Sequence, residues 1–125
     1  MLSKQHHIAI ISSDYEKTKE FYIDKLGFCL EREVYRPARD DYLRMLRLGD
    51  TVLELFIRPD APDRMTNPEA LGLRHLAFRV ADVEAVTSWL NGMGIETEPI
   101  RVDAVNGGRF TFFKDPDGLP LEIHE

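Results

Sequence analysis

Two histidines and two glutamates recur at matching positions in the two halves of this sequence. His7 and His75 lie 68 residues apart, and Glu54 and Glu122 are separated by the same 68 residues. Each histidine therefore precedes its glutamate by 47 positions. Two imidazoles and two carboxylates suit a divalent ion such as Zn²⁺, Ni²⁺, Fe²⁺ or Mn²⁺, and they leave coordination positions open for water or substrate. The pattern favours a catalytic metal site built from these four side chains.

The repeat extends beyond the four residues, which indicates an internal duplication. At the same offset Ala9 matches Ala77, and Asp14 matches Asp82. A chain of 125 residues has the size of one domain. We therefore predict a single domain, residues 1–125, in which two small modules share a core.

Hydrophobic periodicity predicts the same order of elements, β-α-β-β-β, in both modules. In module one, about residues 5–57, we expect strands at 6–11, 28–36, 42–48 and 51–57, and a helix that is capped by Ser13 or Asp14 and ends at Gly27. In module two, about residues 72–125, we expect strands at 73–80, 96–102, 108–114 and 119–124, and a helix from Asp82 to Met93. Residues 58–71 contain three prolines and predict a linker or lid. The expected fold class is α+β.

Alternation along the strands places the four candidate ligands on the side away from the helices. In strand 51–57, Leu53 and Leu55 form the apolar side that a helix covers, so Glu54 points the other way. The same reasoning puts both histidines and the second glutamate on the concave surface of a curved sheet. Ala9 and Ala77 share that surface, and their small side chains leave room for a ligand.

A purely structural interpretation competes with the metal site. In that interpretation His7 and His75 are hydrogen-bonded core residues, and the two glutamates are solvated. For any one of these residues the structural interpretation is the better one. Four of them, matched in spacing and in strand phase, favour the metal site, because a carboxylate between Leu53 and Leu55 is unfavourable to bury without a partner.

Composition narrows the remaining classes of function. The formal net charge of −6 and the pI near 5.2 give no reason to expect binding to nucleic acid or to an anionic membrane. The start of the sequence lacks the apolar run of a signal peptide, so we expect a cytoplasmic protein. The one cysteine, Cys29, has no partner for an internal disulfide, and we expect a small core or half-buried residue there.

Two more histidines lie beside the candidate ligands. His6 competes with His7 for the first position, but it shares its side of the strand with Ile8 and Ile10, so a surface or supporting position is expected. His124 shares the side of Glu122 and is either a supporting neighbour or a solvated residue.

A few other residues are weaker candidates for substrate contact. Arg74 and Arg109 carry charges that suit an anionic substrate, and Tyr22 carries a hydroxyl. For all three a solvated or core position is favoured. Gly107 and Gly108 either let the backbone approach a ligand closely or form a simple hairpin turn.

The motifs along the chain resemble those of the vicinal oxygen chelate superfamily, and within it the short bacterial glyoxalase I-like proteins of the YaeR type. The resemblance covers nearly the whole sequence. It is carried by His7–Ile10, Asp14, Phe21–Tyr22, Leu26–Phe28, Leu53–Leu55, His75–Phe78 and Phe113–Glu122.

This resemblance implies paired β-α-β-β-β modules that curl into an open barrel around a metal ion. It implies metal ligands at His7, Glu54, His75 and Glu122, with zinc or nickel favoured and iron or manganese as alternatives. Extradiol dioxygenases and fosfomycin-type thiol transferases lack a ligand matching Glu54, so a lyase or isomerase is favoured. A homodimer is also implied. In it, the first couple, His7 and Glu54, faces the second couple, His75 and Glu122, of either its own chain or the other chain.

The expected function is therefore a metal-dependent, glyoxalase I-like isomerisation of a small carbonyl or thiol-hemiacetal substrate through an enediolate. Glu122 is the preferred base, and Glu54 is the second catalytic candidate. Two alternatives stay open. One is a protein that sequesters a small toxic compound or antibiotic without a catalytic metal, and the other is an Fe(II)-dependent dioxygenase.

Overall fold

The chain folds into two compact units with the same internal architecture. The structure, a computed structural model, describes residues 1–125, and the units comprise Met1–Pro62 and Asp63–Glu125. Each unit holds one four-stranded mixed sheet and one helical segment, which agrees with the expected α+β class. None of the helices has the length and apolar character required to span a membrane.

The first unit follows the predicted β-α-β-β-β order. Its elements are β1 (Ile8–Ser12), α1 (Tyr15–Lys19), a π-helical turn (Glu20–Lys25), β2 (Cys29–Arg36), β3 (Asp41–Leu48) and β4 (Thr51–Ile57). The sheet order is β1-β4-β3-β2, so the first and last strands of the unit are neighbours. They run parallel, whereas the β4–β3 and β3–β2 pairs are antiparallel.

The helix of the first unit begins as predicted but ends differently. Asp14 is the N-cap, and its carboxylate accepts a hydrogen bond of 2.8 Å from the Lys17 amide. After Lys19 the helix widens into a π-helical turn, in which the Leu26 amide donates to the Phe21 carbonyl. The apolar spacing predicted a regular α-helix up to Gly27, because periodicity does not distinguish one inserted residue.

The second unit repeats the same topology. Its elements are β5 (Leu76–Arg79), α2 (Val83–Gly92), β6 (Arg101–Val102), β7 (Arg109–Lys114) and β8 (Pro120–His124). The sheet order is β5-β8-β7-β6, with β5 parallel to β8. Asp82 caps α2 by accepting a hydrogen bond of 3.2 Å from the Ala85 amide.

Two strands of the second unit are shorter than predicted. β5 begins at Leu76, so His75 immediately precedes the strand. The predicted strand 96–102 is reduced to two residues of β6. Pro99 has no amide hydrogen to donate, so regular pairing with β7 is interrupted there, although the Glu98 amide still donates to the Phe112 carbonyl.

Each sheet buries the face that the apolar alternation predicts. In β4 the buried apolar residues are Leu53, Leu55 and Ile57, and in β8 they are Leu121 and Ile123. Full burial of one such side chain contributes about 1.5–3 kcal/mol to the free energy of unfolding. The opposite face of each sheet is therefore available for function.

The buried sheet faces also include polar side chains, among them one arginine and one threonine. Arg44 of β3 is fully buried, and its guanidinium lies 3.8 Å from the centre of the Tyr15 ring and donates to Glu33 at 2.7 Å. Thr111 of β7 is also fully buried, and its hydroxyl donates to the Glu98 carbonyl at 2.7 Å. Arg44 thus contacts residues of α1 and β2, and Thr111 contacts the segment before β6.

The prediction for Cys29 is wrong, because this residue is exposed. Cys29 begins β2, which is the edge strand of its sheet, and its neighbours Leu30 and Glu31 are exposed as well. An edge strand lacks a covering neighbour on one side, and apolar character alone did not reveal that position.

An ion-pair cluster fastens the start of α2 to the sheet of the second unit. Arg109 contacts Glu125 at 2.6 Å, Asp82 at 3.6 Å and Glu84 at 3.4 Å. The Glu125 carboxylate also accepts a hydrogen bond of 3.0 Å from the Val83 amide in the first turn of α2. The Arg109 guanidinium and this amide lower the pKa of Glu125 from 4.5 to about 2.

We expect Glu125→Gln to lower the melting temperature in a pH-dependent way. A carboxyl group with a lowered pKa in the folded state stabilises the fold fully above pH 4.5, and this contribution is lost as the pH falls towards 2. The difference between wild type and variant should therefore be largest near neutral pH and shrink steadily below pH 4.5. Thermal denaturation over this pH range measures it. Glu96→Gln, at an exposed carboxylate, is the control, and a pH-independent difference for Glu125→Gln would contradict the assignment.

Candidate metal centre

The first unit brings His7 and Glu54 together. Ala9 of β1 lies directly opposite Glu54 of β4 in the parallel pair, and His7 lies two residues before Ala9, on the same side of the chain. The His7 Nε2 is 3.2 Å from the Glu54 Oε2. Both side chains remain partly accessible, with 38% of the histidine and 17% of the glutamate exposed. A ligand can therefore approach this couple.

The second unit brings His75 and Glu122 together in the same way. Ala77 of β5 lies opposite Glu122 of β8, and His75 lies two residues before Ala77. The His75 Nε2 is 3.0 Å from the Glu122 Oε2. This couple is more enclosed, with 26% of the histidine and 11% of the glutamate exposed.

The distances within the two couples suit adjacent ligands of one ion. Nitrogen and oxygen donors with metal bonds of about 2.0–2.2 Å, at right angles to each other, lie about 3 Å apart. The same separation suits a hydrogen bond, so each couple can hold either a proton or a metal ion. No group of three or more His, Cys, Asp or Glu side chains in the chain is arranged to hold a metal. Each unit supplies two donors.

His6 contacts the first couple from the far side of the His7 ring. The Nδ1 atoms of His6 and His7 are 2.9 Å apart, so one of them donates a hydrogen bond to the other. When Nδ1 of His7 donates, its Nε2 carries the lone pair that a metal requires. His6 is itself exposed, which fits the surface position among the two that the sequence predicts.

Aromatic side chains lie beside the second couple, and the sequence reasoning missed them. Phe112 of β7 lies directly opposite Glu122, and its ring meets the His75 ring edge to face at 5.0 Å. Phe110 is next on the same side, and the Arg101 guanidinium lies 5.0 Å from its centre and 5.6 Å from that of Phe112. The alternation in 109–114 would have identified both rings as neighbours of Glu122.

On the corresponding face of the first unit, the charged groups pair with one another. The Arg36 guanidinium donates two hydrogen bonds to Asp41 and lies 4.6 Å from the centre of the Phe56 ring. Arg58 is also within 3.5 Å of the Asp41 carboxylate. The Arg36 guanidinium holds the pKa of Asp41 below its ordinary value. Phe56 lies two residues beyond Glu54 in β4, on the same side of the strand.

His124 belongs to a separate cluster near the second couple. Its Nε2 lies 3.0 Å from the Asp103 carboxylate, its Nδ1 lies 2.6 Å from the Glu125 carbonyl oxygen, and its ring stacks on Phe110. The Asp103 carboxylate raises the pKa of His124 above its ordinary value. Sequence reasoning identified the histidine but missed Asp103, which lies in a loop where no periodic pattern applies.

The weaker candidates lie away from the two couples. Arg74 is exposed and pairs with Glu69 at 2.9 Å. Arg109 alternates with Phe110 and therefore lies on the helix side of its sheet. Tyr22 is fully buried in the core of the first unit. These positions match the solvated and core interpretations favoured from the sequence.

Comparison with known proteins agrees with the fold. Residues 4–123 match the family model of the Glyoxalase/Bleomycin resistance protein/Dioxygenase superfamily. The chain is 56% identical to the uncharacterized protein YwkD of Bacillus subtilis, over 100% of this chain and 98% of YwkD. It is 54% identical to the uncharacterized protein YaeR of Escherichia coli, over 99% of this chain and 97% of YaeR.

A solved structure has nearly the same backbone. The glyoxalase family protein from Enterococcus faecalis is 55% identical, with a TM-score of 0.95 over 98% of this chain and 97% of that one. The fosfomycin resistance protein FosX from Listeria monocytogenes, solved in complex with Mn(II), shares the fold, with 22% identity and a TM-score of 0.76 over 99% of this chain and 93% of that one.

Two more distant relatives have named activities. The 2-epi-5-epi-valiolone epimerase of Actinomyces sp is 30% identical over 94% of this chain and 76% of the epimerase. The glutathione transferase FosA of Serratia marcescens is 29% identical over 99% of this chain and 82% of FosA. Epimerases, glutathione transferases and fosfomycin resistance enzymes thus occur among the matched proteins.

We expect Gly108→Ala to destabilise the second unit around His124. A Cβ at Gly108 would lie 2.6 Å from the His124 Cε1 and 2.9 Å from the Glu125 carbonyl oxygen. Overpacking of this kind costs about 1–3 kcal/mol. Gly92→Ala is the matched control, because it lies in α2 with nothing within 4 Å of its added Cβ. Chemical denaturation should show a loss for Gly108→Ala alone, and equal stabilities would refute the close approach.

Proposed function

Because the chain belongs to the Glyoxalase/Bleomycin resistance protein/Dioxygenase superfamily, we propose that it is a metal-dependent, glyoxalase I-like isomerase. In this proposal His7, Glu54, His75 and Glu122 hold one divalent ion, zinc or nickel before iron or manganese, and the protein is a homodimer. The substrate is a small carbonyl compound or thiol hemiacetal.

One observation carries the proposal. The two units place a histidine nitrogen and a glutamate oxygen 3.2 Å and 3.0 Å apart in matching positions of a parallel strand pair. Such a nitrogen–oxygen set suits a borderline divalent ion. The fourth donor, Glu54, favours an isomerase over the superfamily members that use two histidines and one glutamate.

A bound ion would polarise the substrate carbonyl and lower the free energy of negative charge on neighbouring oxygens. The protein must then move one proton between adjacent carbons. In a thiol hemiacetal, a glutamate removes the proton from the carbon that bears sulfur and returns it to the neighbouring carbonyl carbon, while the hydroxyl proton passes to the former carbonyl oxygen. The net result is a hydroxy thioester with the same atoms as the substrate.

Glu122 is the preferred base for this proton transfer. Its side chain is 11% exposed, against 17% for Glu54, so bulk water competes less for it. Ala77 lies directly opposite and leaves space for a substrate carbon. The Phe112 ring contacts His75 and adds an apolar surface beside the couple. Glu54 is the second candidate for the same step.

Metal binding tests the ligand set directly. Elemental analysis and calorimetric titration of untagged protein should show one tightly bound divalent ion per site, because an N-terminal or C-terminal histidine tag would add competing ligands. Glu54→Gln and Glu122→Gln should each lower the affinity by about tenfold or more. Glu33→Gln is not a suitable control, because Glu33 contacts Arg44. Glu96 is exposed, so Glu96→Gln is the control and should bind the metal ion with wild-type affinity. Wild-type affinity in both ligand variants would exclude these glutamates as ligands.

Activity tests the reaction. The nickel-, zinc- and manganese-loaded proteins should be assayed with methylglyoxal and several thiols, and at least one combination should give a hydroxy thioester. Glu122→Gln should reduce kcat by about 100-fold or more, because it removes the proposed proton acceptor. Metal-loaded protein that turns over none of the combinations would remove the glyoxalase reaction from the proposal.

Two other outcomes would favour the alternative functions. Failure to take up any metal would favour a binding protein, and oxygen consumption with a catechol and Fe²⁺ would favour a dioxygenase.

Mixed dimers test how the couples combine. One variant lacks the first couple, His7→Ala with Glu54→Gln, and the other lacks the second couple, His75→Ala with Glu122→Gln. If each site draws its couples from two chains, a mixed dimer regains one intact site and half of the wild-type metal capacity. If each site lies within one chain, no intact site forms. Sedimentation of wild type as a monomer at micromolar concentration would contradict the homodimer itself.

Epimerisation is the second candidate function. The 30% identity to an epimerase over 94% of this chain favours it, and the reaction also begins with removal of a proton next to a carbonyl. The two reactions differ in where the proton returns. In D₂O an epimerase would incorporate deuterium at the original carbon and leave the carbonyl in place, whereas the proposed isomerisation would move the carbonyl.

A further inference from the structure

A cavity of about 340 Å³ opens in the second unit where β5 and β8 end. It is lined by Ala77, Phe78, Arg79, Asn106, His124 and Glu125. Ala77 is the register partner of Glu122, and Arg79 is the register partner of His124 on the same side of the sheet. The cavity therefore lies one step along the strands, about 7 Å, from the second His–Glu couple.

Arg79 brings an uncommitted positive charge to this cavity. Arg109 contacts three carboxylates, and Arg101 contacts Glu98 at 3.2 Å. Arg79 is exposed, and its side chain forms no hydrogen bond or ion pair with another residue of the chain. Its guanidinium is therefore free to bind an anion through two parallel hydrogen bonds.

Asn106 adds a second free donor. Its Oδ1 accepts a hydrogen bond of 2.9 Å from the Gly108 amide, which fixes the orientation of the side chain and turns Nδ2 towards His124 Nε2, 3.5 Å away. That ring nitrogen already donates to the Asp103 carboxylate at 3.0 Å, so it offers no lone pair to Asn106. The amide hydrogens of Asn106 are therefore available to a ligand.

The carboxylates near the cavity are already paired and oppose an anion only weakly. Asp103 contacts His124, and Glu125 contacts Arg109 at 2.6 Å. The side chain of Glu125 lies between Arg109 and the Val83 amide, which are on the helix side of the sheet. The groups that remain available to a ligand in the cavity are thus the Arg79 guanidinium and the Asn106 amide.

We propose that Arg79 and Asn106 bind the anionic end group of the substrate, a carboxylate or a phosphate. The proposal rests on the proposed function for the position of the reacting end, which lies at the second couple. It defines the substrate as a small carbonyl compound whose anionic group is a few bonds from the reacting carbons. The anion site itself does not require the metal.

Nuclear magnetic resonance of the full-length, EDTA-treated protein tests this subsite. Inorganic phosphate and acetate are titrated separately at constant ionic strength. The side-chain amide resonances of Asn106 and the Nε–H resonance of Arg79 should shift and saturate for at least one of the two anions. The stronger anion identifies the end group as phosphate or carboxylate. Linear, unsaturated shifts for both anions, or shifts confined to other residues, would overturn the proposal.

Substitutions sharpen the test. Arg79→Gln should weaken anion binding about tenfold or more, because it removes a charge-assisted hydrogen-bond pair. Asn106→Asp keeps the acceptor for the Gly108 amide but places a negative charge in the cavity, and it should also abolish saturation. Arg74→Gln is the matched control, since it removes the same charge from an exposed arginine that is paired with Glu69. Equal weakening in Arg74→Gln would show a general charge effect and refute the subsite.

The two proposals fail separately. Anion binding is measured without metal, so a loss of the anion signal with normal metal uptake would refute the subsite and leave the metal centre. Absent metal uptake with a saturable anion signal would refute the metal centre and leave the anion site of a binding protein.

Discussion

Parallel pairing of the first and last strands of each unit is the constraint on which the candidate site depends. The pairing sets Ala9 opposite Glu54 and Ala77 opposite Glu122. A histidine two residues before each alanine then lies beside the glutamate on the same side. A register shift of one residue would turn each glutamate into the buried face among leucines, where an unpaired carboxylate is strongly unfavourable. The apolar face and the two couples therefore specify the same register.

The duplication is strict for the couples but not for their surroundings. Met45 lies opposite Glu54, nine positions earlier, whereas Phe112 lies opposite Glu122, ten positions earlier. The extra residue is accommodated in the turn before β8, where the Asp115 carboxylate accepts hydrogen bonds from the amides of Asp117 and Leu119. The ungapped offset of 68 thus identifies equivalent ligands but pairs the wrong residues in the neighbouring strands. One couple consequently faces a flexible thioether and the other a rigid ring.

Alternation and capping residues were sufficient to predict most of the fold, because both are local properties. The caps at Asp14 and Asp82 and the buried leucines of β4 follow directly from residue type and spacing. The π-helical turn, the shortened β6 and the exposure of Cys29 depend on tertiary pairing, which a single sequence does not encode in a periodic form. The contact between Asp103 and His124 joins a loop to a strand, so it could not be predicted from periodicity either.

The arginines on the two faces of the second sheet have different surroundings. On the helix side, Arg109 is surrounded by carboxylates and holds the first turn of α2 to the sheet. On the other side, Arg79 lies along the same sheet without a partner. Because Arg79 is exposed to water, its unpaired charge carries little desolvation cost. Arg109 can be understood from the folded chain alone, whereas Arg79 satisfies no group within it, and its hydrogen bonds are completed by water or by a ligand.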